Sequence, residues 1–289
     1  MIRKYVSSIY QRLPIIRELN QIKSMLAAQH NYANATQLIK LVDFELHQHP
    51  RYNDPKRLLR FQAQVCSQGH EDGIIHEIFR RIESSSRVFA EVGVGNGNEN
   101  NTAFLLSQGW NGFWVDGNPA FIETLAQRKD IPKSCLKYHV GFVYKENVAQ
   151  IFENLGVPKE LALLSLDIDQ NTYYLWQALE AYQAQVVVVE YNAAVPADID
   201  WKVNYEPQRV WSGTQNMGAS LKAYENLGRR LGYSLVGCDF AGNNAFFVRN
   251  DLVGEKFAAP FTAENHYEPP RFTARRFHPN AILDRALSN

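Results

Sequence analysis

The stretch Phe89-Ala90-Glu91-Val92-Gly93-Val94-Gly95-Asn96-Gly97 reads as a short apolar strand running into a glycine-rich turn. It is answered by Gly112-Phe113-Trp114-Val115-Asp116, a second strand ending on a carboxylate. An open α/β sheet presents a nucleotide-like ligand in this way, at the carboxyl ends of its strands. The glycines alternate, and Asn98 stands where a dinucleotide fingerprint needs its third glycine, three residues after the second. No Lys or Arg lies between Glu91 and Ser107, so nothing there would grip a pyrophosphate. An acid, Glu91, precedes the turn instead, which suits a ligand carrying an ammonium or sulfonium and no phosphate. Asp116 is placed to accept hydrogen bonds from ribose hydroxyls.

A second group of oxygen-bearing residues follows. One predicted strand ends Leu166-Asp167-Ile168-Asp169-Gln170-Asn171 and the next ends Glu190-Tyr191-Asn192. In a parallel sheet both ends share the edge of the glycine turn. Alternation along a strand sets Asp167 and Asp169 on one side, and Glu190 and Asn192 are likewise two apart. Oxygen donors of this kind suit a hard divalent cation such as Mg²⁺ or Mn²⁺. Such a cation lowers the pKa of a bound hydroxyl while a carboxylate takes its proton. In the alternative without a metal, one acid is the base and another caps the helix near Asn171. His70, His139 and His266 are further candidate bases.

The elements that must position these residues are legible from periodicity. Strands are expected over 87–92, 112–116, 136–143, 161–168 and 185–191, separated by helical patterns. One helix is expected over 99–108 and another over 220–231, the latter stopped at Gly232. Two last runs, 233–240 and 244–249, read as a β-hairpin about Gly242. Between 194 and 217 lies a long segment holding Trp201, Tyr205 and Trp211, a length usually functional in a compact domain. It is expected to serve as a carbohydrate platform, a lid, or packing. A stripe of Ile9, Leu13, Ile16, Leu19, Ile22 and Leu26 marks an N-terminal helical extension over residues 1–60. There Arg3, Lys4, Arg12, Arg17 and Lys23 stand against Glu18, so a packed or homodimer-forming helix and peripheral attachment to an anionic membrane are both open. Residues 61–254 form the main domain and 255–289 a tail expected to pack on it, with a hinge near His49-Pro50.

Lys plus Arg and Asp plus Glu number 30 each in 289 residues, which disfavours general nucleic-acid binding. Cys66, Cys135 and Cys238 are scattered, with neither metal spacing nor a disulfide framework. A reducing, cytoplasmic setting is therefore expected, with the inner membrane face as an added option through the N-terminal helix. No apolar run reaches the roughly 18 residues of a membrane span, and the N-terminus lacks a signal-peptide pattern.

The glycine turn with its following acid resembles the class I S-adenosylmethionine (SAM)-dependent methyltransferases. The resemblance implies a Rossmann-like seven-stranded α/β sheet whose last strand is antiparallel, with SAM as cofactor at Glu91, Gly93, Gly95, Gly97, Asn101, Asp116 and Gly117. The acids resemble those of metal-dependent O-methyltransferases of the catechol and macrolide-sugar types. That implies catalytic roles for Asp167 and Asp169 and metal ligands at Asp167, Asp169, Glu190 and Asn192. Further segments resemble FkbM-like methyltransferases of bacterial polysaccharide clusters: Ser67-Gln68-Gly69-His70-Glu71-Asp72-Gly73, Leu164 to Asp169, Glu190-Tyr191-Asn192 and Asn244 to Val248 among them. Gln170 departs from the glycine of that pattern. The implied activity is O-methylation of a saccharide hydroxyl. A small non-sugar acceptor, and a non-catalytic SAM-binding scaffold in a glycan-assembly complex, are the alternatives.

Overall fold

The computed structural model describes residues 49–127 and 133–271, together with Ile22, Lys23 and Met25. Most of the N-terminal stripe, and Arg275 and Arg276 of the tail, lie outside the described residues. Ile22, Lys23 and Met25 are helical and exposed.

Seven strands make one sheet. They are β1 (Val88–Val92), β2 (Asn111–Asp116), β3 (Leu136–Val140), β4 (Glu160–Leu166), β5 (Gln183–Glu190), β6 (Tyr233–Cys238) and β7 (Asn244–Arg249). Their order is β3-β2-β1-β4-β5-β7-β6. The first five are mutually parallel, and β7 enters antiparallel between β5 and β6. This is the Rossmann-like arrangement of the class I SAM-dependent methyltransferase fold. Successive residues of the central strands serve opposite faces, as the period of a strand requires. Val187 and Val189 pack with Phe152, Trp176 and Tyr224 on one side, and Val186 and Val188 pack with Ile74, Ile78 and Phe246 on the other. A strand buried on both faces must be apolar throughout, and β4 is buried from Leu161 to Leu166.

The helices are α1 (Glu71–Ile82), α2 (Ala103–Ser107), α3 (Ala120–Gln127), α4 (Val148–Leu155), α5 (Thr172–Ala178), α6 (Leu221–Leu231), α7 (Asn250–Val253) and α8 (Ala263–His266). The limits of α6 follow from its caps. The Ser220 hydroxyl accepts the Ala223 N–H, and Gly232 closes the helix in the left-handed region. Its Gly228 lies against Phe247 and Trp176, where a Cβ would meet the Phe247 ring at 2.9 Å. Helix and sheet therefore approach more closely than any side chain allows.

Several expected boundaries differ, three of them near the site. The helix after the glycine turn starts at Ala103 rather than 99, because Asn100 to Thr102 wrap around the Glu91 carboxylate. β3 stops at Val140, before Gly141. β4 ends at Leu166, so Asp167 and Asp169 lie in a turn and not on one side of a strand. The segment expected as a hinge is packed: the buried Tyr52 hydroxyl donates to both oxygens of Glu268. Arg51 donates to the Tyr267 carbonyl and Arg57 to that of Asn265, tying residues 49–61 to 255–271.

His266 is enclosed in this strap. Burial, with the charges of Arg57 and Arg51, lowers its pKa to about 3 from 6.5. The unfolded chain thus binds a proton that the folded chain refuses, and stability gained from neutral His266 is complete above pH 6.5 and lost as pH falls toward 3. Urea unfolding across that range should show His266→Gln with a flatter acid limb than the wild type. Parallel limbs would place the acid sensitivity elsewhere.

Candidate functional site

At the carboxyl edge of the sheet the chain leaves β1 through three left-handed glycines, Gly93 (φ 91°), Gly95 (φ 59°) and Gly97 (φ 75°). Each is needed for a different reason. A Cβ on Gly93 would sit 1.6 Å from the Asp167 carbonyl oxygen, and one on Gly97 would reach the Trp114 ring at 3.0 Å. A Cβ on Gly95 would meet nothing within 4 Å, so this residue leaves the cleft open for a ligand. Asp116, ending β2, accepts the N–H of Gly95 at 2.8 Å and of Asn118 at 2.7 Å. The carboxylate thereby fixes the loop and keeps lone pairs at the cleft wall.

Glu91 lies beneath the cleft, not in it. Its carboxylate accepts the backbone N–H groups of Asn101 and Thr102, the Asn100 amide and the hydroxyls of Thr102 and Ser165. The Asn101 amide donates in turn to Ser165. Glu91 and Asn101, expected at the cofactor, are joined here in a buried network that shapes the loop from behind. Full burial outweighs the donors and pushes the Glu91 carboxyl up to about 7.

The Asp167 N–H donates to the Val92 carbonyl, placing the first acid of the second group beside the glycine turn. Asp169 follows in the left-handed region (φ 59°), with the Gln170 N–H donating back to the Ile168 carbonyl at 2.7 Å. A non-glycine residue in that region is strained, and such strain gathers at functional sites. The tight turn brings Asp169 back toward Glu190, which ends β5. Ligand atoms of Asp167, Asp169 and Glu190 all lie within 4.8 Å of one another. Three hard oxygen donors this close fit an octahedral divalent cation that keeps some of its waters. Behind them the buried Tyr224 phenol is pushed well above its ordinary pKa by burial and by Glu190 and Asp167, so it stays neutral.

Asn192, expected as a fourth ligand, is turned away. Its amide donates to the Gln215 and Met217 carbonyls, and its oxygen accepts the Ala194 N–H. It clamps the long segment rather than facing the acids. Asn171 makes the matching clamp, donating to the Glu206 carbonyl. Trp201 and Tyr205 also anchor this segment, through Ser220 and Glu146. Only Pro207 to Trp211 reach the cleft from it.

The cleft encloses about 590 Å³. Gly93, Gly95, Asp116, Gly117, Asp167, Asp169 and Glu190 line it; Glu91, Gly97, Asn101 and Asn192 do not. None of His70, His139 and His266 lines it. The structure adds Asn118, Phe142 and Arg209. Phe142 is 61% exposed, with its ring 3.9 Å from where a Gly117 Cβ would lie. It offers a flat apolar face next to Asp116, and the sequence reading places it inside a strand that in the structure ends earlier, at Val140.

No family model matches the chain, and no curated protein matches it. Solved structures similar to it include the O-methyltransferase TomG of Streptomyces achromogenes, involved in tomaymycin synthesis, at 14% identity and TM-score 0.43, covering 74% of this chain and 96% of that one. An amino pentose methyltransferase of Micromonospora echinaspora, involved in calicheamicin biosynthesis, is similar at 13% identity and TM-score 0.40, over 63% and 92%. Human methyltransferase-like protein 13 is similar at 13% identity and TM-score 0.39, over 73% and 95%. At these scores the likeness carries nothing about chemistry, and the fold rests on the strand order of this chain.

Removing the Glu91 carboxylate would strand the donors it accepts. Glu91→Ala should lower the unfolding free energy by about 3 kcal/mol or more, since each orphaned buried donor costs ~1–3 kcal/mol. The raised carboxyl adds a pH signature: the wild-type contribution is full below pH 4.5 and is lost as pH rises through 7. Urea titrations at pH 5 and 8 would expose both effects; equal stability of variant and wild type would show that the loop does not depend on Glu91.

Proposed function

We propose that the protein is a SAM-dependent O-methyltransferase acting on a hydroxyl of a saccharide or sugar-bearing metabolite. The observation that carries this reading is one cleft that joins a cation-free glycine cradle and Asp116 to three clustered carboxylates. The cradle suits a nucleoside without phosphates, and Asp116 suits its ribose. Phe142 offers a face for the adenine, beside Gly117. The resemblance of several segments to glycan-cluster methyltransferases supports a sugar hydroxyl as acceptor.

The acids supply the chemistry. In this reading Asp167 or Asp169 accepts the acceptor's hydroxyl proton as its oxygen bonds to the methyl carbon. The carbon–sulfur bond breaks in the same step and S-adenosylhomocysteine (SAH) leaves. The surrounding negative charge also favours binding of the cationic sulfonium. A divalent cation, when bound, would be held by Asp167, Asp169 and Glu190 and would supply Lewis acidity that lowers the hydroxyl pKa. Residues 207–211 line the same cleft as a flap and would limit water at the reacting atoms.

Methyl transfer from labelled SAM to a panel of glycosides tests the assignment. Asp167→Asn and Asp169→Asn should each cut turnover by about 100-fold or more, the range for a lost general base, while SAH still binds. Full turnover by both variants would remove the acids from the mechanism. SAH binding without turnover of any acceptor would favour a scaffold role.

A further inference from the structure

The cleft wall is acidic at Asp116, Asp167, Asp169 and Glu190, and among its described residues Arg209 is the one cation. Arg209 sits in a tight turn, its N–H donating to the Glu206 carbonyl. Among the described residues its guanidinium has one ion pair, to Glu206 at a long 3.4 Å, with the Arg209 side chain 27% and the Glu206 side chain 60% exposed. A long monodentate pair with one partner in solvent is weak and readily exchanged for a better partner. The guanidinium presents a planar fork of donors matched to carboxylate and phosphate oxygens.

Trp211 lies two residues further on. Its indole N–H donates to the Thr214 carbonyl at 2.9 Å, which holds the ring edge to the flap's own backbone. The ring nonetheless stays 51% exposed, on the cleft wall. A large aromatic face kept open in a cleft by a hydrogen bond at its edge is suited to the apolar side of a ring. The Asn171 and Asn192 clamps fix the segment at Glu206 and at Gln215, so this tip hangs over the site between two anchors.

We propose that Arg209 and Trp211 form an acceptor subsite for a hydroxylated ring bearing a carboxylate or a phosphate. The inference rests on the methyltransferase reading above and narrows its acceptor to an acidic sugar. Charge sorts the ligand in the cleft. The sulfonium and the reacting hydroxyl belong at the acids, which repel an anion, and the acceptor's anionic group belongs at Arg209.

The test uses the full chain saturated with SAH, titrated calorimetrically with glucuronate, glucose 6-phosphate and methyl glucoside. At least one charged sugar should bind about tenfold or more tightly than methyl glucoside, as a charge-assisted pair gives, and which one does so tells carboxylate from phosphate. Arg209→Gln should abolish that preference and leave SAH affinity unchanged, and Arg209→Lys should restore part of it. Absence of a preference in the wild type, whether all three sugars bind or none does, overturns the proposal. So does a preference that survives Arg209→Gln. A tenfold loss of SAH affinity in Arg209→Gln would overturn it by assigning the guanidinium to the cofactor's carboxylate. A wild type that binds no SAH removes the methyltransferase reading first, and this inference with it.

Discussion

At Gly93 the backbone passes so close to Asp167 that a Cβ would lie 1.6 Å from its carbonyl oxygen. Everything functional in the molecule is arranged about that approach. β1 and β4 are neighbours, with β2 on the far side of β1 and β5 on the far side of β4. Their carboxyl ends diverge at this point, and a crevice opens where the strand order reverses. The glycine turn forms one wall and the acid turn the other, joined by the hydrogen bond from Asp167 to Val92. A side chain at position 93 would force the walls apart and separate cofactor from acid.

The two walls are stiffened differently. Glu91 shapes the glycine wall from below, where no ligand reaches it, by accepting five donors from the loop and from β4. The acid wall is held by backbone geometry, with Asp169 folded back in the left-handed region. Above both, Asn171 and Asn192 project from the turns after β4 and β5 and clamp the long segment at two points. The same two turns thus carry the acids and the anchors of the flap, so the position of the flap is set relative to the acids with which it lines the cleft.

Much of this is legible in the sequence, and the reason is physical. The βα rhythm, the hairpin and the two-sided burial of β4 and β5 follow from periodicity, because a sheet covered on both faces tolerates only apolar strands. Gly93, Gly95, Asp116 and Glu190 are legible because glycine turns and strand ends dictate where they go, whereas Asp167 and Asp169 reach the cleft through a turn and not through the strand alternation expected of them. What periodicity does not carry is the direction of a polar side chain inside a turn. Glu91 reads as a ligand contact, yet its oxygens are consumed by loop donors. Asn192 reads as a partner of Glu190, yet it bonds to a segment more than twenty residues onward. Arg209 and Phe142 are illegible for the converse reason: they reach the cleft from irregular chain, which has no period to place them.

The central claim is that the glycine wall and Asp116 hold the nucleoside of SAM. Its most direct measurement is a calorimetric titration of the protein and of Asp116→Ala with SAH. The structure predicts one binding site per chain in the wild type and an affinity about tenfold or more lower in the variant, as expected when hydrogen bonds to a charged group are lost. Absence of wild-type binding, or identical affinity in Asp116→Ala, would contradict it.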